Sequence, residues 1–327
     1  MISSSRNEVT VRITTVGQIT RDCLETRFED LACPTPSVSV ITVMKKEDEA
    51  PSLPSLRNQE CEQPFEIVLV RGGNRSQARN LGIVQSRAPL ISFIDSDCEA
   101  PTRWLANLMA SLPEDQIVAG VGGVSSTRNR SSLFEKAIDA VFSTYLGSLN
   151  SPSLISVPDT KRYLVNAISG HNCIYRRAAL IEVGGFDSRF QLNEDTDICA
   201  RLREKGYRLL LDRSISVYHE RRGSVAEFAR QFFWYGVGRI RSMLTGWRYV
   251  DGRILGLFVL AVCSLLLAPA WPTLIEMVLS GYAVALLWSS SVGARRIRAM
   301  KLQPLVLSLF VVEHFSYLAG LASGIVL

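Results

Sequence analysis

From Val38 onward the chain alternates short apolar runs with segments of helical period. "VSVITV" (38–43), "FEIVLV" (65–70) and "PLISFI" (89–94) read as buried strands. Between them, Ala50 to Gln59 predicts a short helix interrupted by Pro51 and Pro54, and "SQARNLGIVQS" (76–86) a longer one. Strands and helices taking turns through short loops predict an α/β domain with a doubly wound, mostly parallel sheet. Such sheets bind ligands in the crevice beyond the carboxyl ends of their strands. "QIVAGVGG" (116–123) predicts a further strand, and 131–147 a helix whose apolar face is Leu133, Phe134, Ala137, Val141 and Tyr145. Residues 169–190 read as strand, short helix and glycine turn, and 193–212 as helix then strand. Residues 1–37 show no clear period and are read as an extension of unclear structure. No internal repeat or low-complexity tract interrupts the pattern.

After Arg253 the pattern changes. "ILGLFVLAVCSLLLAPAW" (254–271) carries no charge and, as a helix, spans roughly 27 Å, near the thickness of a bilayer's hydrocarbon core. Residues 272–293 and 304–327 are similar, so three transmembrane helices are predicted over 254–327. Glu276, Glu313 and His314 within them fit a buried helical core as the alternative. The basic stretches 238–253 and 294–301 fall on one side of a three-span arrangement, and the positive-inside rule puts that side in the cytoplasm. The expectation is a multi-pass protein of the plasma membrane with a cytoplasmic domain over 38–223. No apolar signal-peptide core is found in 1–37. Residues 224–253 mix Phe228, Phe232, Phe233, Trp234, Tyr235 and Trp247 with Arg230, Arg239, Arg241 and Arg248. That mixture suits an amphipathic helix in the lipid interface, or a core helix of the soluble part.

Composition then narrows the classes. Lys and Arg outnumber Asp and Glu by only 36 to 31, too mild an excess to suggest a nucleic-acid partner. The 7 cysteines form no CxxC pair, which argues against a zinc ribbon or a disulfide framework.

The candidate chemistry sits at strand ends. Asp95 and Asp97 follow an apolar strand two positions apart, and in an extended segment their side chains point the same way. Converging like charges repel unless a proton or a cation intervenes. A strand-end turn, with Asp and Ser bonding local amides, accounts for the same residues. The alternative is a site for Mg²⁺ or Mn²⁺, hard ions that share their shell with substrate phosphates. Position at the binding edge favours the metal. "NED" (193–195) reads as a helix start, with Asn193 capping and the acids complementing the dipole. A general base facing the crevice is compatible with that reading.

These residues resemble the family 2 glycosyltransferases, which have the Rossmann-like GT-A fold. The likeness rests on "ARNLGI" (78–83), "ISFIDSDCEAPTRWL" (91–105), 183–212 and "VYHERRGSVAEFARQFFWYGVGR" (217–239), in the family's order and spacing. The membrane tail resembles that of the branch acting on lipid-linked sugars. The resemblance implies a nucleotide-sugar donor and a lipid-linked acceptor. It implies that Asp95 and Asp97 hold Mg²⁺ or Mn²⁺ on the donor diphosphate; His219 matches a position that is sometimes a third ligand, with a surface-loop histidine as the alternative. Asp195 matches the base that takes the acceptor proton in an inverting displacement, and Glu194 beside it would touch sugar or acceptor hydroxyls. Where the family carries acids after the second strand this chain has Arg71-Gly72-Gly73, so Glu47 or Asp48 is expected to substitute in reading the nucleotide. Arg75 and Arg79 would face the diphosphate, or lie on the helix surface. "QFFWY" (231–235) lacks the Arg of the processive QxxRW, which implies addition of a single sugar. A polyprenyl-phosphate sugar synthase and a catalytically inactive sugar-binding scaffold are the alternatives.

Overall fold

The computed structural model describes residues 10–15, 35–44, 52–127, 132–148, 161–190, 192–246 and 272–326, with scattered positions between 252 and 264. The strands are β1 (Thr10–Thr15), β2 (Val38–Met44), β3 (Phe65–Arg71), β4 (Leu90–Ile94), β5 (Cys98–Glu99), β6 (Val118–Ser126), β7 (Arg162–Val165), β8 (Asn172–Arg176) and β9 (Arg208–His219). The early helices are α1 (Ser52–Arg57), α2 (Arg75–Gln85), α3 (Trp104–Ser111) and α4 (Leu133–Phe142). They are followed by α5 (Arg177–Glu182), α6 (Glu194–Glu204), α7 (Val225–Thr245), α8 (Pro272–Arg296) and α9 (Gln303–Ser323). Two compact units result. One holds 1–126 and 158–220, the other 127–157 and 221–327. The division differs from the expected 38–223 domain, because α4 belongs with the carboxyl-terminal helices.

In the first unit the strand order is β1-β3-β2-β4-β8-β6-β9-β5, with β7 on β9. The strands predicted at 38–43, 65–70 and 89–94 are present and pair in parallel. β1 adds a parallel partner to β3 from within the stretch where no element was predicted. Its six residues, TVRITT, are too few among polar neighbours to register as a period. The expected mostly parallel sheet is mixed, because β8 runs antiparallel to both β4 and β6. An apolar run buried on both faces reads the same in either direction, so the pattern does not report orientation.

Alternation along β2 and β3 feeds two cores. Val40, Ile67 and Leu69 pack with Trp104, Leu105 and Leu108 on one face. Ile41, Val68 and Val70 pack with Phe93, Tyr175 and Ile198 on the other. Where the β6–β9 register shifts near Gly122–Val124, carbonyls leave the ladder. The buried Asn172 amide collects them, donating to Val124 O (2.8 Å) and Ile215 O (3.3 Å) while accepting from Trp104 Nε1 (2.8 Å). A buried carbonyl left unpaired there would be costly.

Helix α2 is fixed at its start by a capping box between Asn74 and Gln77. Its polar side chains then hold a loop more than a hundred residues away. Asn80 pairs with both backbone groups of Phe186, each at 2.7 Å. Asn74 Nδ2 donates to Ser188 O and Ser76 Oγ to Phe190 O, both at 3.0 Å. The loop approaches through Gly184 and Gly185, whose φ values of 77° and 70° favour glycine. α2 thereby fixes the segment that leads into α6.

The second unit packs α4, α7, α8 and α9 around Phe142, Phe228, Phe232, Val306, Leu309 and Phe310. The buried face of α4 is Ala137, Ile138, Ala140, Val141 and Phe142, whereas Leu133 and Tyr145 of the expected face are exposed. The helix starts at Leu133 under a Ser132–Glu135 capping box and ends at Phe142, which leaves Tyr145 in a turn beyond it. α7 and α9 meet backbone to backbone: a Cβ on Gly236 or Gly320 would strike Tyr317 or Phe233 carbonyls. Close approach of this kind is typical of small residues between packed helices. One face of α7 is thus buried, while Trp234, Tyr235 and Leu244 point outward. Ile275–Arg296 and Met300–Ser323 are long and apolar enough to cross a membrane. Most of the first expected span, 254–271, lies outside the described residues.

Removing the Asn80 clip tests the docking of the 184–190 loop. Asn80→Ala loses both bonds to Phe186 and is expected to lower stability by about 1–3 kcal/mol. The Phe186 amide is expected to exchange faster with solvent, whereas Val84→Ala on the exposed face of α2 changes neither readout.

Candidate active site

The crevice edge begins where β4 ends. The chain does not stay extended after Ile94: Cys98 N donates to Asp95 O at 3.1 Å, closing a turn over Asp95, Ser96 and Asp97. The extended backbone expected to aim both carboxylates the same way is therefore broken after Ile94, and the two have different ion-pair partners. Asp97 turns to His219, with Oδ1 3.5 Å from Nε2, and its side chain is 47% exposed. Cys98 and His219 are opposite one another in the antiparallel β5–β9 pair, so they share a face. Donor atoms of Asp97, Cys98 and His219 all lie within 4.8 Å of one another.

Asp95 turns the other way, to Arg79 Nη2 at 3.4 Å. Arg79 is the surprise of the site. The sequence left it facing a diphosphate or on a helix surface, yet its side chain is 4% exposed. It lies on the inward face of α2 with Ala78, Gly82 and Ile83. Nη1 donates to Glu194 Oε1 at 2.8 Å and Nη2 to Gly170 O at 3.3 Å. The guanidinium also stands 5.7 Å and 5.3 Å from the Phe93 and Phe186 ring centres. Burial opposes its charge, but Glu194, Asp95 and Asp195 outweigh that cost and keep it cationic. Arg75, one turn earlier, is 58% exposed and 4.0 Å from Glu194.

Glu194 and Asp195 begin α6. Asn193 stands at the helix start in the left-handed region, φ 62°, and its side chain makes no cap hydrogen bond, contrary to the expected role. Glu194 is buried against Arg79. Burial pushes its carboxyl above the ordinary value and Asp195 adds to that rise, while Arg79 opposes it. Burial likewise acts to raise Asp95, but the charges of Arg79, then Arg75, His171 and His219, hold it below the usual carboxylate range. Asp195 is partly exposed; its Oδ1 accepts from Thr196 N at 2.8 Å and its Oδ2 from Gly170 N at 3.5 Å.

Two residues of this edge were not picked out from the sequence, Gly170 and His171. His171 Nδ1 lies 2.5 Å from Ser169 Oγ, and its ring centre is 5.6 Å from that of His219. "SGHN" reads only as a turn entering a strand; nothing local marks it as meeting a strand end fifty residues later. Glu47 and Asp48, the expected nucleotide contacts, lie outside the described residues.

Asp97 with His219, Asp95 with Arg79, and Asp195 with Gly170 thus gather at one sheet edge. A pre-mycofactocin glycosyltransferase of Mycobacterium tuberculosis is 28% identical over 166 residues, covering 49% of this chain and 33% of that protein. Succinoglycan biosynthesis protein ExoA of Rhizobium meliloti is 40% identical over 76 residues, 23% of each chain. The chain spans a third or less of these relatives' lengths. Among solved structures, a mannosyltransferase of Pyrobaculum calidifontis in complex with GDP-Man and Mn²⁺ is 16% identical. It covers 94% of this chain and 91% of that one, with a TM-score of 0.49. The model of the glycosyl transferase family group 2 matches residues 90–323, which include the turn at 95–97, α6, the end of β9 and both apolar helices. The chain belongs to that family, and the mixed α/β unit is its GT-A-like glycosyltransferase domain.

Proposed function

We propose that this glycosyltransferase moves a single sugar from a nucleotide-sugar donor to a hydroxyl of a lipid-linked acceptor at the cytoplasmic face of a membrane. The observation that carries the reading is the pairing, at one crevice edge, of a carboxylate–imidazole couple with a separate, partly exposed carboxylate. Asp97 and His219 supply the couple; Asp195 is the carboxylate. Oxygen and nitrogen donors in mutual reach suit a divalent ion, and the imidazole favours Mn²⁺ over Mg²⁺. An ion held there would offset negative charge on the departing diphosphate.

The remaining chemistry belongs to the chain. The acceptor hydroxyl approaches the anomeric carbon from the face opposite the nucleotide. Asp195 takes its proton as the new carbon–oxygen bond forms, and the old bond's electron pair leaves with the nucleoside diphosphate. One displacement inverts the anomeric configuration. Arg75, exposed at the first turn of α2, is a cation available to the diphosphate, whereas Arg79 is engaged inside.

The membrane assignment rests on Ile275–Arg296 and Met300–Ser323, both long and apolar enough to cross a membrane. Most of the residues along both helices are not buried, as expected of surfaces meant for lipid. Arg295 and Arg296 in the last turn of α8, Arg298 beyond it and Lys301 at the start of the next span support a cytoplasmic connection under the positive-inside rule. That setting supports an acceptor carried on a lipid, and the relatives include a glycosyltransferase.

The metal reading is tested with Mn²⁺ and the electron-spin-resonance signal of the free ion. Asp97→Ala and His219→Ala are each expected to weaken Mn²⁺ binding at least about tenfold and to remove turnover, which EDTA also removes. Wild-type turnover in EDTA would end the metal assignment. The acceptor is tested by Asp195→Asn. For a hydroxyl acceptor kcat is expected to fall by about 10²–10⁴ with the donor KM little changed. Retained turnover would point to an acceptor that is already anionic, as in a polyprenyl-phosphate sugar synthase.

A further inference from the structure

We propose that Arg79 is a positioning residue for transfer: locked by Glu194, it holds the Gly170 carbonyl, and the amide of that same residue orients Asp195. The inference rests on Asp195 acting as the base and concerns what keeps it aimed. Asp195 makes few contacts of its own; one oxygen meets its neighbour's amide and the other meets Gly170 N. The Gly170 peptide is therefore half of its support, and the far side of the same residue, its carbonyl, is taken by Arg79 Nη2. Arg79 also bonds Glu194, the residue immediately before Asp195. It reaches the base by two routes, one through the turn at 169–171 and one through the first residue of α6.

Three features make Arg79 suited to this. A guanidinium is a rigid planar fork with five donors, so it meets Glu194, Asp95 and Gly170 together, which a lysine ammonium on a flexible stem does not. Withdrawing it would leave the buried Glu194 carboxylate with only the exposed Arg75, 4.0 Å away. The space is fitted to it, because a Cβ on Gly170 would lie 2.6–2.7 Å from three guanidinium atoms. Only glycine lets the turn come this close. Glu194 then serves as the anchor of Arg79, in place of the substrate contact that the resemblance implied.

The test is a double-mutant cycle on the full-length protein in detergent, with nucleoside diphosphate release as the rate and Mn²⁺ alone as the binding probe. Gly170→Ala adds a methyl group that displaces Arg79 without touching Asp195. It is expected to lower kcat about 30- to 100-fold, as a small misplacement of a reacting group does. Donor KM is expected to stay within about threefold and Mn²⁺ affinity within about twofold. In the Asp195→Asn background the same change is expected to cost less than about twofold, since the group it misaligns is gone. Arg79→Lys is expected to reproduce both results, and it decides the matter if Gly170→Ala does not fold.

Unchanged kcat, a full multiplicative loss on top of Asp195→Asn, or kcat, Mn²⁺ affinity and melting temperature falling together would each overturn the proposal. The two readings fail separately. If Asp195→Asn keeps its activity, the base assignment falls. If Asp195→Asn collapses while Gly170→Ala and Arg79→Lys turn over normally, only the positioning role is lost.

Discussion

A buried guanidinium is the constraint on which the site depends. Arg79 is almost fully removed from solvent, as is its partner Glu194, and burying either charge alone would be prohibitive. Removing one partner of such a pair typically costs about 3–5 kcal/mol, because the other is left uncompensated. The pair therefore forces α2, the end of β4, the 169–171 turn and the start of α6 into one arrangement. Asn74, Ser76 and Asn80 reinforce it from the same helix by holding the loop that approaches α6. Stability and function meet here: the ion pair is affordable only inside a closed fold, and the fold closes where a base is required.

The arrangement also separates the charges of the crevice. Asp95, partly exposed and with its proton affinity lowered mainly by Arg79 against the effect of burial, pairs with the buried guanidinium. Asp97, released by the turn, faces His219 and solvent. Asp195, partly exposed at the helix start, accepts from the Gly170 amide, and Arg79 donates to the carbonyl of that same residue. Three carboxylates close in sequence or space thus have different surroundings, as the proposed division between a cation site and a proton acceptor requires.

Much of this was legible in the sequence, for a physical reason. Strands buried on both faces and helices with one apolar stripe announce themselves by composition and period, so β2, β3, β4, α2 and α6 were readable. β4 running into Asp95 and Asp97 marked the crevice edge. Strand direction was not readable, because an apolar run has no polarity; hence β8 and the mixed sheet. The split of Asp95 from Asp97 was hidden as well, since a single turn hydrogen bond decides whether i and i+2 converge. Arg79 was misjudged because a charged side chain on a helix is normally assigned to its surface. Its partners lie 16, 91 and 115 residues further along, and no local pattern connects them.

The most direct measurement is the structure of this protein with Mn²⁺ and a nucleoside diphosphate bound. The account predicts Mn²⁺ coordinated by Asp97 and His219, with Arg79 still within hydrogen-bond distance of Glu194 and the Gly170 carbonyl. An Arg79 guanidinium swung onto a phosphate oxygen, with Glu194 left free to meet the sugar, would contradict it.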